Sequence, residues 1–173
     1  MTGAYIIPLF GLSEGHHTFD FEIGNRFFEG FAESEIKEGE LTAVAGIKKN
    51  SSCIDITVRI TGSVLISCDR CLDMYPQAID CTNHFIVKAG QYPDDSDPDI
   101  MTIAPEQKEL DMSQLFYEYI HLALPLRRVH PDNADGTSGC DPEMIEELNK
   151  HIVNDNNGQD STWDDLKKLL NNN

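Results

Sequence analysis

The 173-residue chain is short of positive charge: 13 Lys and Arg stand against 30 Asp and Glu, a formal net charge of -17. Such a surface repels phosphate backbones at long range, which argues against generic nucleic-acid binding. It leaves a basic protein, or RNA met at a small local site, as the partner to expect. The same acid excess also serves solubility alone. No run of about 18 apolar residues occurs, so no membrane-spanning helix is expected. Met1 to Phe10 has neither a basic region nor an apolar block of signal-peptide length. A cytoplasmic address is the expectation from that. A Walker loop, a G-x-G-x-x-G run and the H-x-E with P-C-x-x-C pair are also missing, and with them the common marks of P-loop, dinucleotide-binding and zinc-deaminase chemistry.

Cysteine is scarce and odd in number: Cys53, Cys68, Cys71, Cys81 and Cys140. An odd count in a chain with no export signal argues against a disulfide framework. Two of the five sit close together, in Cys68-Asp69-Arg70-Cys71.

The first two thirds of the sequence alternate as strands do. Phe19, Phe21 and Ile23 share one face, with Thr18, Asp20 and Glu22 opposite. Phe27, Phe28 and Phe31 fit a short helix or a packed loop. Leu41, Ala43, Ala45 and Ile47 alternate weakly; Ile54, Ile56, Val58 and Ile60 do so clearly. Gly62 marks a bulge or bend, after which Val64, Ile66 and Cys68 keep the same parity. A further strand is expected over Ile79 to Ala89, an acidic loop over Gln91 to Asp99, and a short strand over Ile100 to Ile103.

The last third turns helical. Asp111 with Gln114 suggests a capping box for a helix over Met112 to Ala123, stopped by Pro125. Asp141-Pro142 opens a second helix to about His151. Ser161 is expected to cap a short final helix carrying Trp163, Leu166 and Leu170. Strands followed by helices give an α+β class with an antiparallel sheet and two or three C-terminal helices. The expected organisation is one domain over residues 1–153, then a linker and short helix over 154–173.

The CxxC turn lets two thiols reach one tetrahedral ion, about 2.3 Å from each sulfur. His130 and Cys140 offer two further ligands, from a loop rich in Pro, Asp, Asn and Gly that has no core of its own. Zinc held by Cys68, Cys71, His130 and Cys140 would order that loop. The same residues also read as reduced thiols packed against it. Cys81 is in phase with Ile79 and Phe85 and reads as core. A thioredoxin-like redox site needs a helix after the CxxC, and none is signalled here, so a thiol-based redox or metal-sensing protein is the alternative reading. Arg70, Arg127 and Arg128 form a small basic spot beside the cysteines, able to hold a phosphate or to pair with neighbouring acids.

Cys68-Asp69-Arg70-Cys71-Leu72 after a strand resembles the signature of the YceD family of bacterial and plastid proteins. The likeness extends through the helix of Asp111 to Ala123, the Leu124-Pro125-Leu126 segment, Cys140, and Trp163 with Leu166. Many relatives carry further cysteines in the late loop, where this chain has His130 and Cys140, and an Asp-Pro-Arg-Trp run where it has Asp160-Ser161-Thr162-Trp163. The resemblance implies a non-enzymatic role in accumulation of large-subunit ribosomal RNA. The implied partners are the large ribosomal subunit precursor, through basic ribosomal proteins or ribosomal RNA, with no membrane and no small-molecule substrate.

Overall fold

The computed structural model describes residues 5–9, 11–90, 97 and 99–151. Its elements run β1 (Ile6–Pro8), β2 (Gly15–Ile23), α1 (Asn25–Phe28), β3 (Glu38–Lys49), β4 (Ile54–Ser67), β5 (Met74–Ala89), β6 (Ile100–Ile103), β7 (Glu109–Asp111), α2 (Ser113–Leu122) and α3 (Pro142–His151). The expected C-terminal helix, with Trp163, Leu166 and Leu170, lies outside the described residues.

Strands β2 to β6 form one five-stranded sheet in sequence order. β2 to β5 are an antiparallel meander, and β6 adds a parallel edge along Ile86 to Ala89. The class is α+β, as alternation indicated. Phe21, Ile23, Leu41, Ala43, Ala45, Ile47, Ile56, Val58, Ile60, Val64 and Ile66 all point inward and are buried. Each aliphatic side chain of this size taken out of water contributes roughly 1.5–3 kcal/mol. Polar residues fill the other face, where Arg59 meets Asp80 at 3.2 Å and His84 meets Asp55 at 2.7 Å.

The inner face is covered by α1, by α2 and by a small second sheet. Phe27 and Phe28 come from α1; Met112, Phe116 and Ile120 come from the α2 stripe. The second sheet pairs β1 with β7 and buries Ile7 and Leu110. Three-residue strands carry too little alternation to be seen in sequence, and this pair was not expected. The capping box forms only in part. Asp111 Oδ1 accepts from the Ser113 N–H at 2.9 Å, but Gln114 bonds Glu118 at 2.7 Å instead of reaching back.

Gly62 bends β4 without interrupting its register, so the pairing Leu41–Gly62–Ile79 is one to one and there is no bulge. Its φ is +142°, and a Cβ there would collide with the Glu40 carbonyl on β3. The inward parity therefore runs through the bend and delivers Cys68, one residue past β4, to the buried side.

Candidate metal centre

The β4–β5 connection is a six-residue turn, Cys68 to Asp73. It is closed by the Cys68 N–H donating to the Asp73 carbonyl at 2.9 Å and the Leu72 N–H donating to the Cys68 carbonyl at 3.0 Å. The Arg70 N–H points at Cys68 Sγ, 3.4 Å away. That closure forces Leu72 to φ +66°, the one non-glycine in the left-handed region among the described residues. A Leu there costs about 1 kcal/mol against glycine, and its side chain is 69% exposed.

The segment after α2 is stitched to this turn. Asp69 donates its N–H to the Arg128 carbonyl at 2.7 Å and accepts the Arg128 N–H on Oδ2 at 2.8 Å. Arg128 Nη1 in turn meets Glu35 at 2.8 Å. The guanidinium holds the Glu35 carboxyl below its ordinary range. Two residues on, the His130 ring lies 4.8 Å from that of Tyr75, centroid to centroid. The loop then returns on itself. A Cβ at Gly139 would strike the Pro131 carbonyl, so glycine alone allows the close approach that sets Cys140 beside His130. Ser138 Oγ accepts the Cys140 N–H at 3.3 Å, and α3 begins two residues later.

Four ligand atoms converge as a result. Cys68 Sγ is 3.7 Å from Cys140 Sγ, and Cys71 Sγ is 3.4 Å from His130 Nδ1. All four atoms lie within 4.8 Å of one another, with the three cysteines buried and His130 half-buried. A tetrahedron with zinc–sulfur bonds of 2.3 Å has edges of about 3.8 Å, so the donor set and its spacing fit such an ion. Burial opposes ionisation of Cys68, but the N–H groups of Cys71, Arg70 and His130 and the His130 ring outweigh it and hold the thiol down to about 5. Burial pushes the Cys140 thiol up, and its neighbours Cys68 and Cys71 push the same way.

The other candidate residues lie outside the ligand cluster. Cys81 is half-buried in the core near the Tyr119 carbonyl, and Cys53 lies in the β3–β4 turn. Neither joins the cluster. Of the three arginines, Arg128 is tied to Glu35, whereas Arg70 and Arg127 make no side-chain ion pair among the described residues. Asp69, Gly139 and Leu72 shape the site but gave no sequence signal beyond proximity to the cysteines, and Glu35, distant in sequence, gave none. One pattern passes unused in the sequence, Gly11-Leu12-Ser13-Glu14-Gly15, a G-x-S-x-G match. It leads into β2, not into a helix, and His17 Nε2 sits 2.9 Å from the Ser13 carbonyl. A nucleophile elbow requires the strand–turn–helix setting that is missing here.

Among the described residues no helix is long and apolar enough to cross a membrane. Residues 56–170 match the model of a protein family described as "Large ribosomal RNA subunit accumulation protein YceD". No curated protein and no solved structure matches the chain.

Proposed function

The chain belongs to the YceD family, whose model spans more than half of it, and from that premise we propose a non-enzymatic factor that supports accumulation or processing of large-subunit ribosomal RNA. The observation that carries the reading is the family match together with a four-ligand Cys/His cluster inside the matched region. Four protein ligands close a tetrahedral site, with no position left for a substrate or an activated water. That is the pattern of a structural ion. Cys68, Cys71, His130 and Cys140 would hold zinc, which supplies a cross-link between the β4–β5 turn and the loop before α3. The partner is the large ribosomal subunit precursor, met through its proteins or its RNA, and the working compartment is the cytoplasm.

Two measurements test this. Sedimentation of extracts from cells with and without the protein is expected to show loss of large-subunit RNA in the deletion; unchanged RNA sinks the proposal. Elemental analysis of protein purified without added metal is expected to give about one zinc per chain, lost in Cys140→Ser.

A second reading is favoured by one distance. Cys68 and Cys140 are near enough, at 3.7 Å, for modest motion to let a thiol oxidant such as an external disulfide take up their two electrons and two protons and leave them joined, which suits a thiol-based redox sensor. Metal-free protein with a Cys68–Cys140 disulfide in cells under ordinary growth would select it.

A further inference from the structure

The turn that carries two of the ligands also carries a side chain that the fold does not use. Leu72 is held in the left-handed region, where glycine is free of strain, yet its side chain is 69% exposed. On the segment after α2, Leu126 is fully exposed. The two are kept on neighbouring segments by the paired bonds between Asp69 and Arg128. Each leucine has an arginine beside it in sequence, Arg70 two residues before Leu72 and Arg127 directly after Leu126. In a chain with 30 acids against 13 bases, neither arginine pairs with a carboxylate among the described residues.

Folding gains little from such an arrangement. An exposed leucine buries little apolar area, and a strained backbone opposes the folded state. Residues of this kind contribute when a partner covers them. Leucine offers phosphate neither a charge nor a hydrogen bond, and two arginines make few phosphate contacts. An apolar cleft accepts the leucines, and carboxylates at its rim accept the guanidinium forks.

Resting on the ribosomal reading above, we propose that Leu72, Leu126, Arg70 and Arg127 form a docking tip for a protein of the large-subunit precursor that presents an apolar cleft with carboxylates at its rim. An ion held by the Cys/His cluster would fix the turn that carries Arg70 and Leu72.

The test uses the full chain, purified large ribosomal subunits and protein-free large-subunit RNA, with binding read by sedimentation. Leu72→Gly relieves the backbone strain, so it is expected to keep its metal and to melt no lower than the parent. Leu72→Gly with Leu126→Ser is expected to weaken binding to subunits by at least about tenfold. Leu122→Ser, which removes an exposed leucine from α2 outside the tip, is expected to bind as the parent does. Parent-like binding by the double variant overturns the tip while leaving the ribosomal role standing. Equal binding of the parent to protein-free RNA overturns the protein partner and assigns the tip to RNA. If the parent binds neither, the ribosomal reading fails and the tip fails with it.

Discussion

Cys68 shows how a single side chain gathers several effects. Strand parity buries it, and burial alone raises a thiol. Three backbone N–H groups and the His130 ring reverse that and bring the thiol to about 5. The folded value lies below that of an unfolded cysteine, so the thiolate contributes stability that is complete above the unfolded range and is lost as pH falls through about 5. Ultraviolet absorbance of the metal-free protein is expected to show one thiolate appearing as pH rises through that value, and Cys68→Ala is expected to abolish the step. A step that persists in the variant would place the ionisation on another cysteine. The same pre-formed thiolate lowers the proton cost of metal binding, because a ligand thiol must be deprotonated.

At the level of elements, the site rests on two turns that approach from opposite ends of the matched region. The β4–β5 turn is fixed by its own hydrogen bonds. The loop from Val129 to Gly139 is tied within itself around Asn133, Asp135 and Thr137, and it returns on itself at Gly139. Gly139→Ala forces that return apart, since the added methyl meets a carbonyl and not a flexible side chain. Zinc content is expected to fall several-fold in this variant, while far-ultraviolet circular dichroism keeps the β signature of the sheet. Full metal loading would show that the loop closes by another path. α3 follows Cys140 with no fully buried residue of its own and packs on the core through Ile145.

For the whole molecule, Cys68, Cys71 and Cys140 lie at one end of the same buried core that the sheet, α1 and α2 close. Most of the buried residues come from β2 to β5, α1 and α2 and not from the cluster, so a chelator is expected to lower the melting temperature without erasing the sheet. A ligand present at about 1,000 times its dissociation constant stabilises by about 4 kcal/mol, which in a chain of this size is on the order of 10 °C. Melting with and without chelator measures it. Complete loss of β structure on metal removal would mean that the fold depends on the ion.

Much of this was legible in the sequence, for a physical reason. Alternation reports which face of a strand meets the core, so β2 to β5, the α2 stripe and the inward direction of Cys68 follow from local order. Ligand chemistry reports itself as well: only a few residue types bind zinc, which singled out Cys68, Cys71, His130 and Cys140. What local order does not encode is which distant segments meet. The β1–β7 pair, the burial of Ser34 and Ile36 behind the Arg128–Glu35 contact, and the meeting of Cys68 with Cys140 across 72 positions depend on tertiary packing. So does the left-handed Leu72, because only closure of the turn between two paired strands imposes that backbone on a residue that does not prefer it.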